Sequence, residues 1–298
     1  MKAIKSIICV SILACMSIMP VFAVTESIED DFSSASSMCP VEKKVNGPIA
    51  ATLSKITGMN AIIAATLESQ VRKQMNKALN GDFKVEITPF GAKSMLEGKF
   101  KKISAKSDSI YLDGFYLSNV IAESLCGYNH FIYKNGEVYT NEDFLLGFSA
   151  DVTTEDLQKT LSTPQYQKLL NSMTVNMGNV TIFKVYDPKA EIKNDRLFVK
   201  VKFISPLTLG EPRQVSTDMG LAVHEGKILF TDVHTSSSHA NANINAFLPI
   251  INKLNPFIYK SDILNNPKST IKIKDVDFVN NKIVIKGLVI VPKNYYNN

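Results

Sequence analysis

Tryptophan is absent, glycine-rich phosphate loops are absent, and only four cysteines occur in 298 residues. Gly91 and Gly98 stand near one another, but in no P-loop or dinucleotide pattern, which excludes that kind of nucleotide cradle. No C-x-x-C is present. After one apolar run near the N-terminus no second long run follows, so nothing later reads as a bilayer-spanning helix. The formal net charge is only +5, without the concentrated basic footprint of a general nucleic-acid binder, and no nucleic acid is expected as a partner.

What is there begins with MKAIK, which carries Lys2 and Lys5 and no acid. An apolar run from Ile7 to Ile18, Pro20 and the small-residue end Val21-Phe22-Ala23 follow. This is the pattern of a secretory signal peptide over residues 1–23, implying export to a periplasm or cell envelope. A second route is open, because Ile12-Leu13-Ala14-Cys15 resembles a lipobox that would be lipidated at Cys15. Cleavage after Ala23 removes two lysines and two cysteines, so the mature chain is only mildly basic. Cys39 and Cys126 remain, either as a disulfide pinning the leader to the body or as two thiols.

Residues 24–45 are polar and acidic and read as a flexible leader. From Pro48 the spacing turns helical, with Ile49, Leu53, Ile56, Ile63, Leu67, Val71, Met75 and Leu79 forming an apolar stripe. Asn80-Gly81 supplies a left-handed stop. Strands are expected at Phe83–Thr88, Lys99–Leu112, Phe115–Leu125 and His130–Lys134, the last joined by Asn135-Gly136 to Glu137–Thr140. A helix capped by Thr153 or Thr154 and cut by Pro164 comes next. A second run of strands covers Asn179–Tyr186, Lys189–Ile192, Leu197–Ile204, Arg213–Glu225 and Lys227–Thr235. A helix is expected over Ala240–Leu254, and the chain closes with Thr270–Asp275, Asp277–Val279 and Lys282–Val291. This order predicts an α+β body in which a curved antiparallel sheet wraps a long helix. Residues 46–298 are expected to form one domain.

Catalytic patterns are few. Residues 224–239, HEGKILFTDVHTSSSH, hold three of the four histidines with Glu225 and Asp232. On a strand Asp232 and His234 share a face, and His239 could return from the loop, as in a metal site or a Ser/His/Asp trio. The spacing matches no zincin motif, no G-x-S-x-G elbow surrounds a serine, and an ordinary polar loop explains the stretch. Asp151, Glu155 and Asp156 read as helix-start charge. No enzyme activity, metal or cofactor is expected.

The densest feature is SMLEGKFKKISAKS, residues 94–107, where Lys99, Lys101, Lys102 and Lys106 are interleaved with Met95, Leu96, Phe100 and Ile103. Such a stretch fits a strand edge whose lysines discourage pairing with another chain. It also fits a contact site for an anionic membrane, to which each lysine would contribute about 1 kcal/mol.

The longer stretch around it, ITPFGAKSMLEGKFKKISAKSDSIYLDGFYLSNVIAES, resembles the signature of the DUF2993, or LmeA-like, family of secreted phospholipid-binding proteins. The resemblance rests on Pro89-Phe90, Leu96-Glu97-Gly98-Lys99 and Gly114-Phe115-Tyr116-Leu117. It continues through Val152-Thr153-Thr154-Glu155-Asp156-Leu157, Leu254-Asn255-Pro256-Phe257-Ile258 and Ile283-Val284-Ile285-Lys286-Gly287-Leu288. It implies a tubular lipid-binding (TULIP-like) fold with an apolar groove between helix and curved sheet. The implied partner is a phospholipid or other acyl lipid, bound without covalent chemistry. Ile63, Leu67, Val71 and Met75 would line the groove from the helix, and Met95, Leu96, Phe100 and the four lysines would meet the lipid or membrane. Six of the ten methionines follow the leader, and such side chains suit an adaptable apolar cavity or a packed core. A non-catalytic envelope assembly factor that binds protein or glycan is the other reading.

Overall fold

The computed structural model describes residues 39–40, 59–112, 114–134, 137–140, 142–177, 180–204, 212–236, 255, 257 and 270–293. The expectations for the signal peptide, for Cys15, for most of the leader, for Ile49, Leu53 and Ile56, for His239 and for a helix over Ala240–Leu254 fall outside those residues.

Helix α1 (Met59–Leu79) leads into strand β1 (Phe83–Pro89), the short helix α2 (Ala92–Leu96) and the long strand β2 (Lys99–Leu112). Strands β3 (Phe115–Ser124), β4 (Asn129–Lys134), β5 (Glu137–Thr140) and β6 (Phe144–Val152) follow, then helices α3 (Thr154–Leu161) and α4 (Pro164–Ser172). A meander of β7 (Val175–Met177), β8 (Val180–Lys193), β9 (Arg196–Ile204), β10 (Arg213–His224) and β11 (Lys227–Ser236) comes next. The hairpin β12 (Thr270–Val279) and β13 (Lys282–Val291) closes the described chain.

The strands form two antiparallel sheets, which establishes the α+β class. Sheet 1 runs β12-β13-β6-β3-β2, with β1 on the other side of β2 and the β4-β5 hairpin extending from the start of β2. Sheet 2 runs β11-β10-β9-β8-β7. The sheets are not strongly curled, and this corrects the expected wrap around a long helix. The 21 residues of α1 span about 31 Å, less than the roughly 46 Å of the 14-residue β2. Rather than being wrapped, α1 lies along the free edge of β1. Glu68 Oε1 accepts the Ile87 N–H at 2.8 Å and Asn76 Oδ1 accepts the Phe83 N–H at 2.8 Å, so helix side chains satisfy edge donors that would otherwise be open to another strand.

Local chemistry explains most boundaries. Thr153 caps α3 in a reciprocal box: the Asp156 N–H donates to Thr153 Oγ1 at 3.1 Å, and the Thr153 N–H donates to Asp156 Oδ2 at 2.9 Å. Pro164 starts α4 at its first turn, where a missing N–H costs nothing. Asn194-Asp195 and Asn280-Asn281 make two-residue turns with positive φ at both positions, matching the right-handed twist of their strands. The two strands expected on either side of Asp187-Pro188 are one, β8, with Asp187 at φ 51° and a register shift between Tyr186 and Lys189. The two pieces expected on either side of Val276 are likewise one strand, β12, whose register shift lies earlier, between Ile273 and Asp275.

Strand β6 was not foreseen, and it is buried along its whole length. Phe144, Leu146, Phe148, Ala150 and Val152 enter the main core, which also takes in Val185, Ile192, Leu197 and Met219 of sheet 2. The alternate residues serve the other face. Leu145 packs with Leu288 and Cys126, flanked by Leu125, Ile290 and Cys39. Cys39 is bonded to Cys126 with Cα atoms 5.4 Å apart, so the leader is pinned to this second cluster. Further along the same face Asp151 is fully buried. Its Oδ2 accepts from Lys282 Nζ of β13 and, at 2.6 Å, from Asn119 Nδ2 of β3. Asp151 is therefore a buried ion pair and not a helix-start charge.

Removing one partner of a buried pair costs about 3–5 kcal/mol, while replacing both with apolar groups is often neutral. Asp151→Ala is expected to lower the unfolding free energy by that amount in urea melts, and Asp151→Leu combined with Lys282→Met by much less. Equal losses from the single and double variants would show that charge pairing is not what holds β6.

Candidate functional site

The LEGK corner is built by α2 and the turn into β2. Gly98 has φ +76°, and a Cβ there would sit 1.6 Å from the Phe131 carbonyl oxygen, so only glycine fits. The Phe131 N–H donates to Gly98 O at 2.9 Å, and His130 Nε2 lies 3.1 Å from Glu97 O. This tight seam turns the stretch so that its apolar residues part company. Leu96 is 73% exposed, whereas Met95 is 2% and Phe100 6% exposed. Phe100 lies 5.3 Å, ring to ring, from Phe131, which in turn meets Phe144 at 4.5 Å. Met95 and Phe100 are thus core residues, a correction to their expected role as membrane anchors.

The lysines are partly neutralised. Lys99 Nζ lies 2.6 Å from Glu97 Oε2, and that hydrogen bond holds the Glu97 carboxyl below its ordinary range. Lys102 Nζ lies 3.0 Å from Glu123 Oε2. Lys101 is exposed and its Nζ stands 5.6 Å from the centroid of the Phe90 ring. Lys106 pairs in register with Lys84 of β1 on one side and Ile121 of β3 on the other. Lys93 of α2 is exposed at this corner, and Lys84 is exposed at the other end of β1, opposite Lys106; the sequence pattern had not singled them out. The corner is a mixed surface with an excess of positive charge and one protruding leucine.

On α1, Leu67 and Val71 are half-buried against the main core and Met75 is fully buried in it. Met75 is therefore packing rather than groove lining. The Ile63 side chain falls outside the described residues.

Sheet 2 carries a different surface. Antiparallel partners share a face, so Leu197, Val199, Val201 and Phe203 of β9 line up with Met219, Thr217, Val215 and Arg213 of β10. Across β10, Leu221 faces Phe230 and Val223 faces Ile228 of β11. Leu197, Met219 and Ile228 are buried, but Val199, Val201, Phe203, Leu221 and Phe230 are only half-buried. Ile271, Ile273, Val276 and Phe278 of β12 are half-buried as well and pack on the same core. The Ile273 N–H donates to Gly226 O at 3.2 Å, which ties β12 to the β10–β11 turn. Asn255 Nδ2 donates to Ile228 O at 3.1 Å, and Phe257 meets Phe115 at 5.6 Å, so the Asn255–Phe257 motif bridges the two sheets.

The opposite face of sheet 2 holds Asp218, Asp232 and His234. Arg196, unnoticed in the sequence, stands among them: its Nε donates to Asp218 Oδ1 and its Nη1 to Asp232 Oδ2 at 2.7 Å. That pairing raises the Arg196 pKa and lowers that of Asp232. Among the described residues, no group of three or more His, Cys, Asp or Glu side chains is arranged to hold a metal ion. His224 lies apart at the hairpin end, 4.0 Å from Glu225. No serine joins His234 and Asp232 in the described contacts, so the expected alternative of a Ser/His/Asp trio gains nothing.

The chain matches no family model, no curated protein and no solved structure.

The corner geometry separates two substitutions that look alike in sequence. Phe100→Ser is expected to cost about 3–5 kcal/mol, and Leu96→Ser to stay within roughly 0.5 kcal/mol, as read by thermal melts. A large loss at Leu96 would mean that the leucine is packed.

Proposed function

We propose that the protein is an exported, non-catalytic lipid-binding or lipid-transfer protein that shelters acyl chains against the apolar face of sheet 2. The observation that carries this reading is the row Val199, Val201, Phe203, Leu221 and Phe230, which stays half-buried where a closed core would bury it. Each methylene moved from water onto such a surface is worth about 0.8 kcal/mol. The likeness to the DUF2993 signature, and the TULIP-like architecture it implies, belong to the same proposal. Two antiparallel sheets sharing one apolar core are compatible with that architecture, although neither sheet is strongly curled. The disulfide fits an oxidising compartment outside the cytoplasm.

The LEGK corner supplies the docking role in this reading. Leu96 inserts into the membrane, while Lys93, Lys99 and Lys101 attract anionic headgroups. Salt distinguishes the two contributions, since screening shortens the reach of charge to about 8 Å at physiological ionic strength.

Native mass spectrometry of the gently purified protein is expected to show co-purifying phospholipid. Val201→Asp is expected to abolish it while the protein remains folded by circular dichroism. Changing Lys93, Lys99 and Lys101 to glutamine should weaken binding to anionic vesicles at low salt and have less effect as salt rises. A parent protein free of lipid, and unable to take up phospholipid from vesicles, would favour the assembly-factor reading instead.

A further inference from the structure

The apolar row of sheet 2 grades from covered to open, and a cation stands at its open end. The paired residues of β9 and β10 run Leu197–Met219, Val199–Thr217, Val201–Val215 and Phe203–Arg213. Leu197, Met219 and Thr217 are buried, Val199, Val201, Val215 and Phe203 are half-buried, and Arg213 is exposed. We propose that Arg213 holds the phosphate of a phospholipid whose acyl chain lies along this row and points toward Leu197. This inference rests on the lipid-binding reading and adds to it the headgroup contact and the direction of the chain.

Position and charge carry the inference. Alternation puts residues 213, 215, 217 and 219 of β10 on one face, so the side chain that ends the apolar row is a guanidinium. Its cross-strand neighbour is Phe203, and beyond Phe203 lies the buried Val185 of β8. Among the described residues no carboxylate pairs with Arg213 and no hydrogen bond engages it. Two cations of the reverse face are held differently. Arg196 is bonded to Asp218 and Asp232, and Lys202 Nζ lies 2.7 Å from Asp187 Oδ2. Thr217 is the other polar residue of the row, and its hydroxyl donates to Val199 O at 3.3 Å.

The chemistry of an anionic amphiphile matches this arrangement. A guanidinium donates two parallel N–H bonds to two phosphate oxygens, a fit that a point charge does not give. The arginine stem lies on apolar surface while its head stays in water. Apolar groups on one side of the charge lower the local dielectric and strengthen its attraction for an anion. From Phe203 to Leu197 the strand covers about 20 Å. One leaflet of a bilayer whose hydrocarbon core is about 30 Å thick gives its chains roughly 15 Å, so the row accommodates an extended chain.

The alternative is a solvated arginine at a strand end, and lipid uptake from neutral detergent micelles separates the two. The full chain is titrated with phosphatidylglycerol and with diacylglycerol carrying the same acyl chains, and bound lipid is read by native mass spectrometry. The parent should bind phosphatidylglycerol about 10-fold or more tightly than diacylglycerol, as a charge-assisted hydrogen bond allows. Arg213→Gln should lose that preference by weakening phosphatidylglycerol alone, and Arg213→Lys, with the charge but not the fork, should fall between. Lys200→Gln removes an exposed cation from the reverse face of the same strands and should bind like the parent. A nitroxide at the methyl end of the acyl chain should broaden the Val199 methyl signals more than those of Val215, and the opposite order overturns the direction. A parent that takes up both lipids alike, or an Arg213→Gln variant that keeps the preference, overturns the headgroup contact and leaves the lipid reading intact. A parent that takes up neither lipid overturns the lipid reading itself, and this inference with it.

Discussion

Burying a strand on both faces removes water from all its side chains and leaves the neighbouring strands to satisfy its polar groups, and β6 is in that position at the centre of sheet 1. Its inward residues Phe148, Ala150 and Val152 meet the core shared with sheet 2. Its outward residues run from Leu145 beside the disulfide to Asp151 beside Lys282. A lone buried carboxylate would cost several kcal/mol, so Asp151 requires both Asn119 from β3 and Lys282 from β13. Those two partners come from the strands on either side of β6, so one carboxylate ties three neighbouring strands together. The disulfide closes a separation of 87 residues and in the chain-entropy model adds about 4–5 kcal/mol by restricting the unfolded chain. Together they fix the frame on which the two sheets meet.

That frame explains why the two candidate surfaces differ in character. The LEGK corner is rigid, because Gly98 is pressed on the Phe131 carbonyl and Phe100 is locked among aromatic rings. Its one protruding apolar side chain, Leu96, is displayed by that rigidity. Sheet 2 is different. Leu197, Met219 and Ile228, with Val185 and Ile192 of β8, are buried, while Val199, Val201, Phe203, Leu221 and Phe230 on the same sheet are only half-buried. In the proposed lipid-binding role, acyl chains would replace water on this surface without breaking any hydrogen bond of the sheet, since the ladder bonds lie in the plane of the strands. Its reverse face bears the polar cluster of Arg196, Asp218, Asp232 and His234, so the same strands separate an apolar face from a charged one by alternation alone.

Much of the fold was legible in the sequence. Turn chemistry located the hairpins at Asn194-Asp195, Glu225-Gly226 and Asn280-Asn281, and Thr153 marked the start of α3. What escaped detection had physical reasons. Strand β6, FLLGFSADV, lacks the polar alternation that marks a one-sided strand, because both of its faces are buried. The bulge at Asp187-Pro188 looks like a break in a sequence but leaves a strand continuous. The five-residue helix α2 changes the side-chain period just before β2, which turned Met95 inward and Leu96 outward against the expected pattern. Asp151 and Lys282 are 131 residues apart, and no local pattern connects them. Arg196 was hidden for the same reason, since its carboxylate partners lie on two later strands. The curved wrap around a long helix was expected from the order of elements as well as from the family resemblance, and the sheets do not curl in that way.

The central claim is that acyl chains lie on the half-buried face of sheet 2, and paramagnetic relaxation tests it at the level of residues. With isotope-labelled methyl groups and a phospholipid carrying a nitroxide on its acyl chain, Val199, Val201 and Leu221 should lose signal intensity strongly. Leu145 and Leu288, on the far side of sheet 1, should keep theirs. Uniform loss across both sheets, or none at Val201 while the lipid is demonstrably bound, would contradict the account.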